Sequence, residues 1–407
     1  MRRRYYVLWL VGMGLAEGGA AFDVSWHFGH LFDEFSPPHM TVAVGVALMV
    51  ALLVWALAPG ANRVIGVERA ALKVAAIALT IGILDEPLDL LWHLTFGVDI
   101  TLWSPTHLML NYPADVINIA VLTAFLASQA SRARGAWLIV VALCLRNVMT
   151  THFALYQQEY GAVALDSLTR TGTAPWYVEP ALWALAGPRA SQLVTGGVPP
   201  WLYLIYAAFA ISYAFMFCAV VLHGRPGPTG KRLADIWPMP TGAATALAVC
   251  FILWRVAYRQ LFLARHMAYG VIPWYFVPMG LVFDLTLLLG PYVSPRIAEV
   301  VPPRLRAHVH QILAGAAGVV AAVALFGGMQ LMRETHAVVP AAPLAVLPFA
   351  CLTGAIGAIL GSSLAVWVRD RSYRRSVVTP GTPRRTRAPE LPQRAAPDLT
   401  IQHLERV

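Results

Sequence analysis

The chain has 407 residues, 58% of them hydrophobic and only 13% charged, with 30 Lys and Arg against 21 Asp and Glu for a net charge of +9. A mean hydropathy of +0.61 excludes a water-soluble domain and specifies an integral membrane protein. The basic surplus lies in short loops and in the C-terminal tail, which points to membrane topology and contact with lipid rather than to nucleic acid.

Apolar stretches of about 20 residues, the length that crosses a bilayer as helix, fall at 5–28, 38–58, 70–94, 105–128, 135–158, 199–222, 241–263, 273–290, 308–332 and 341–368. They predict an all-α fold, a polytopic bundle of about ten transmembrane helices built as helical hairpins. Three regions follow: 1–128 with helices one to four, 129–368 with helices five to ten, and a basic tail at 369–407. Basic residues at 2–4, 63–73, 132–134, 225–232 and 296–306 all fall on one side of this alternation. Both chain ends are therefore expected in the cytoplasm of a bacterial or archaeal cell, with the membrane in question its cytoplasmic membrane.

The first helix, with its arginine head and small residues, has the look of a secretory signal. Retention is the expectation, because helix one leads into DVSWH (Asp23–His27) just as helix three leads into DLLWH (Asp89–His93). Cleavage would remove one copy of a repeat. The full windows read DVSWHFGHLFDEFSPPHM from Asp23 and, 66 residues later, DLLWHLTFGVDITLWSPTHLM from Asp89.

In each copy an Asp and a His stand four apart at the outer end of a helix and share a face: Asp23 with His27, Asp89 with His93. A short loop leads to Ser-Pro-x-His, where Ser as N-cap and Pro in the first turn start the returning helix. That places His39 and His107 in the first turn of helices two and four. Asp, His and His from adjacent helix ends then form a three-ligand metal site with room for water or substrate. Asp33 and Asp99, each six residues after the first His, are placed to orient a ligand imidazole through its other nitrogen. Trp26 and Trp92 suit the membrane interface. The loops between the two histidines differ, 11 residues in the first copy and 13 in the second, and two separate sites are expected rather than one shared centre.

These residues resemble the metal-binding stretch of the C subunit of particulate methane and ammonia monooxygenases. The second copy is the nearer match, through Asp89, Trp92, His93, Asp99, Pro105 and His107; the first matches through Asp23, Trp26, His27, Pro37 and His39. The resemblance covers these windows alone and implies a copper-type ligand set, with copper favoured over iron or zinc as the transition-metal cofactor. An oxidase or monooxygenase of a small or membrane-dissolved substrate is the expected function. The alternative is a metal or small-solute transporter using the same residues as transient ligands. A haem-binding electron-transfer protein ranks third, since haem has no need of a carboxylate four residues before a His.

Deeper in the spans, Glu17, Asp85 and Glu86 are further ligands or a proton path, and Asn111, Asp115 and Asn118 continue the face begun by His107. Arg146 in helix five is expected to pair with Asp115 or to serve transport. His30, His152, Glu159 and His266 are reserve ligands, and the segment 159–198, rich in Trp and Tyr, suits a lid over the sites. Similar depth suggests that Asp284 in helix eight meets Arg255 or Arg259 of helix seven. Cys144, Cys218, Cys250 and Cys351 lie within helices and read as small apolar residues. Helices nine and ten, rich in Gly and Ala, are expected to pack closely. The Arg- and Pro-rich tail is expected to be disordered. Membrane lipid is the expected partner, together with a redox protein or a further copy of the chain.

Overall fold

A computed structural model describes residues 2–27, 36–60, 63–96, 105–132, 135–149, 200–223, 242–258, 274–335 and 343–376. Among these residues the chain forms ten α-helices and no strand: α1 (Arg2–His27), α2 (Pro37–Leu57), α3 (Gly66–Phe96), α4 (Pro105–Ala127), α5 (Ala136–Met149), α6 (Pro200–Leu222), α7 (Ala243–Tyr258), α8 (Phe276–Val300), α9 (Val309–Thr335) and α10 (Leu347–Ser376). Six of them, α2, α4, α6, α8, α9 and α10, contain stretches long and apolar enough to cross a membrane. The protein is an all-α, polytopic membrane bundle, and each helix overlaps one of the ten apolar stretches.

The first four helices are two hairpins. α1 lies along α2 and α3 lies along α4, whereas α2 and α3 meet only sparsely. The α1–α2 approach is close because Gly12 faces Gly45: a Cβ on Gly45 would collide with the Gly12 carbonyl and the Ala16 backbone. With no hydrophobic effect to drive helices together in lipid, such small-residue contacts let backbones gain dispersion energy directly.

The same device holds the second half. Gly318 of α9 meets Gly354 of α10, as the Gly-rich sequence of both helices leads one to expect. One turn on, Gly357 and Gly361 sit directly over the Phe209 and Tyr213 carbonyls of α6, where no Cβ fits. α10 therefore packs extensively on both α6 and α9, and it also touches α4 and α3, joining the two halves. The core is apolar and aromatic, with Tyr6, Trp9, Met13, Leu72, Phe125, Phe215 and Phe217 fully buried. Large apolar residues exposed along α3, among them Ile77, Leu84, Leu88 and Leu91, present the surface that hydrocarbon requires.

At the basic end, α1, α2 and α3 are fastened by polar contacts. Tyr6 Oη donates to Glu68 Oε1 at 2.8 Å, and Arg2 stands 3.7 Å from the other carboxylate oxygen. Arg2 also donates to the Arg63 carbonyl, and Arg63 donates to the Trp55 carbonyl while stacking 4.9 Å over the Trp55 ring.

Asp284 finds its described partners at the start of α7. Its carboxylate accepts from the Ala244 and Thr245 backbone N–H groups at 3.0 and 2.8 Å and from the Thr245 hydroxyl at 2.7 Å. It caps the first turn of α7, where backbone donors and the helix dipole stabilise an anion. Position 255 lies about 16 Å further along α7, at about 1.5 Å per residue, so the carboxylate is at the wrong level for it. The side chain of Arg255 and all of Arg259 lie outside the described residues.

One smaller difference concerns the end of α10, while the cysteines lie within helices as expected. α10 runs on to Ser376, through the first residues of the expected tail, with Arg371 stacked 5.2 Å over Trp367. All four cysteines are free thiols within helices, and the Cys218 thiol donates to the Cys144 carbonyl at 3.4 Å, linking α6 to α5.

Candidate functional site

The two motif copies lie at the end of the bundle opposite the arginine clusters. Ser36 caps α2 as its sequence predicts: its Oγ accepts from the His39 backbone N–H at 3.3 Å, with Pro37 opening the helix. This fixes His39 in the first turn, facing the last turn of α1. There His39 Nε2 stands 3.0 Å from Asp23 Oδ1. The second hairpin repeats the contact, with His107 Nε2 3.5 Å from Asp89 Oδ1.

Each pair is assembled from two helices and sits partly open, His39 being 40% exposed and His107 17%. The aromatic neighbours are also placed: Trp26 meets Phe22 edge-on at 5.6 Å, and Trp92 lies against Phe96 at 4.3 Å.

Two of the three residues of each expected ligand set are thus brought together. The side chains of His27 and His93 lie outside the described residues, as do Asp33, Asp99, His30, His152, Glu159, His266 and the whole 159–198 segment. Among the described residues, no three His, Cys, Asp or Glu side chains converge as a ready metal-binding group.

Two carboxylates adjoin these pairs on α3. Asp85 is fully buried, and neither of its carboxylate oxygens has a hydrogen-bond partner among the described residues. It is one turn before Asp89 on the same helix face and lies within electrostatic reach of Asp89, His107 and Glu86. Glu86, exposed on α3, is within electrostatic reach of His39, Asp89, Asp23 and His107. Pro87 follows at once inside α3 and removes a backbone donor from the helical ladder there.

Beneath the motifs lies a buried ionic node. Arg146 of α5 forms an ion pair with Glu17 of α1 at 2.6 Å, donates from Nε to Asn118 Oδ1 of α4 at 2.6 Å, and donates to the Met13 carbonyl at 2.6 Å. Asp115, the partner expected from sequence, is within electrostatic reach, but Glu17 makes this close contact. Arg146 thereby connects α5 to both α1 and α4. Asn118 does use the polar face that begins at His107, while Asn111 turns back to donate to the His107 carbonyl at 2.7 Å.

Sequence reasoning missed the partnership of Glu17 with Arg146. The signal for it was the occurrence of Glu17 and Arg146 as deep charges on neighbouring helices, each needing a counter-charge. In comparisons with known proteins, no protein-family model, no curated protein and no solved structure matches this chain.

Proposed function

We propose that this chain is a membrane metalloprotein that binds a transition metal, copper foremost, through Asp23, His27 and His39 and through Asp89, His93 and His107, on the extracytoplasmic side. The observation that carries this reading is the recurrence of one contact. In both hairpins the Asp of one helix and the second His of the next come within hydrogen-bonding or near-bonding range, at 3.0 and 3.5 Å. Two donors each about 2.0–2.1 Å from one ion at a tetrahedral angle stand roughly 3.3 Å apart, so both separations fit a shared ligand as well as a direct pair. A carboxylate with imidazoles is a donor set suited to copper, iron or zinc.

When bound, a redox metal with a vacant position would supply oxygen activation, which makes an oxidase or monooxygenase of a small membrane-dissolved substrate the sharper form of the proposal. The chain's own residues would hold the ion and orient its imidazoles. Ser36 sets the approach of His39 through the helix cap, and the partial exposure of both pairs leaves a path from outside.

A transporter is the second reading, favoured by the continuation of polar groups inward to Glu17, Arg146 and Asn118. Against it, Met13 and Trp9 are fully buried on α1 between Glu17 and the Tyr6–Glu68 contact, which leaves an apolar barrier in the same helix.

The test is metal analysis by mass spectrometry of the full chain purified in detergent, alongside His39→Ala, His93→Ala and His107→Ala. Stoichiometric copper in the parent and its loss site by site is the expected result. A parent with no transition metal after copper loading would end both the enzyme and the metal-transport readings.

A further inference from the structure

The basic end of α3 starts an exposed face of a particular composition. Arg69 and Lys73 stand one turn apart on it, Lys73 exposed and Arg69 partly so. The same side of the helix continues with Ile77, Leu84, Leu88 and Leu91, at 63%, 61%, 46% and 59% exposure. Thr80 interrupts the apolar run, and its hydroxyl is tied back to the Ala76 carbonyl at 2.9 Å. Trp92 lies 19 residues beyond Lys73, about 28 Å along a helix that rises about 1.5 Å per residue. A bilayer's hydrocarbon core is about 30 Å thick. With Trp92 at one interface, Lys73 therefore stands at the headgroup level of the other.

Two like charges at i,i+4 repel and weaken the helix that bears them. Within the described stretches 2–10 and 63–75 the one acid is Glu68, and it is turned inward: it is 4% exposed, accepts from Tyr6 Oη at 2.8 Å and has Arg2 3.7 Å away. Arg63 is held elsewhere, 4.9 Å over the Trp55 ring. Among the described residues no carboxylate pairs with Arg69 or Lys73. The face beyond them also differs from the helix contacts of this protein. Where α1 meets α2 and α9 meets α10, Gly stands against Gly; here the side chains are long aliphatics, which suit acyl chains better than a closely packed helix.

We propose that this face of α3 binds an anionic phospholipid, its phosphate held by Lys73 and Arg69 and its acyl chains lying along Ile77, Leu84 and Leu88. The phosphate oxygens accept from the ammonium and from the guanidinium fork, which removes the repulsion between the two cations. A zwitterionic lipid brings a cation of its own and adds a third positive charge to the pair, so the site discriminates by headgroup charge. The occupant is a lipid and not a soluble anion because the cations lead directly into apolar surface. The site lies at the end of α3 opposite the Asp–His pairs and does not depend on the metal reading.

The test is lipid titration of the full chain, delipidated in an uncharged detergent and followed by native mass spectrometry. Phosphatidylglycerol should bind at least tenfold tighter than phosphatidylcholine. Lys73→Gln and Arg69→Gln should each weaken phosphatidylglycerol about fivefold, the affinity that one Lys or Arg supplies at an anionic surface, while Lys73→Arg keeps most of it. Ile77→Ser should weaken both lipids. Arg304→Gln removes the same charge from another loop and should change little, and Lys73→Gln should unfold at the parent's temperature in the absence of lipid. Equal binding of the two lipids, or an equal loss in Lys73→Gln and Arg304→Gln, would overturn the site. So would inorganic phosphate displacing the lipid at equal concentration, or a lipid-free dimer that Ile77→Ser dissociates, since the occupant would then be a free anion or a second copy of the chain.

Discussion

Removing Arg146 tests how the interior of the first half is held. Its guanidinium makes three contacts at 2.6 Å, to Glu17, Asn118 and the Met13 carbonyl, and thereby ties α5 to α1 and α4. Arg146→Met fills much of the same volume but removes the guanidinium from the Glu17 carboxylate and from Asn118, which is only 1% exposed. Breaking a buried pair from one side costs about 3–5 kcal/mol. Glu17 retains 27% exposure of its side chain, so some solvation survives and the lower end, about 3 kcal/mol, is expected. Glu17→Gln keeps a hydrogen-bond acceptor for the arginine and should cost less. The double variant Glu17→Gln/Arg146→Met should be less destabilised than the two single changes added together, with a coupling of about 1–3 kcal/mol. Reversible unfolding in mixed micelles, monitored by tryptophan fluorescence, gives all four corners of the cycle. Additive effects within about 0.5 kcal/mol would refute the view that this pair is an energetic unit.

Loss of the cap at α7 is a second case: Asp284→Ala should destabilise the chain by about 1–2 kcal/mol, and Asp284→Asn by distinctly less because Asn also caps well, as the same unfolding assay will read. At the α6–α10 contact, Gly357→Ala must push α10 away from the Phe209 carbonyl and should lower the melting temperature, whereas Gly82→Ala, with open space around it, should be neutral. Tyr6→Phe removes the donor to buried Glu68 and should cost about 1.5–3 kcal/mol, the range for hydrogen bonds to charged groups. For the proposed metal sites, Asp99→Asn should lower copper affinity about 10- to 100-fold, as changes behind a metal ligand do, with competitive chelator titration as the measure.

Helix positions were legible because a bilayer imposes a length and an apolar composition on each span, and both are properties of a contiguous window. The Asp23–His39 and Asp89–His107 contacts were legible for a related reason. Each is produced by a hairpin whose local devices, a helical i,i+4 spacing and a Ser-Pro start, are written side by side in the chain. What the sequence does not encode locally is which helix stands beside which. Depth matching suggested Asp115 for Arg146 and an arginine for Asp284, but it could not name Glu17 as a further partner of Arg146 or the start of α7 as the donor set for Asp284. The end of α10 was misjudged because charge was read as loss of order, while Arg371 stacked on Trp367 continues the helix beyond the apolar span.

The repeat of the Asp–His contact has a consequence for descent. A tandem duplication inside a membrane chain is governed by parity: a unit with an odd number of spans places its second copy upside down, and an even unit returns it upright. Here the unit is a hairpin of two helices, so duplication sets both polar turns at the same end without any reinsertion. A forerunner with a single hairpin would have reached the same arrangement only by pairing with its twin, and fusion through the short α2–α3 connection would have turned an encounter between molecules into a fixed neighbourhood within one.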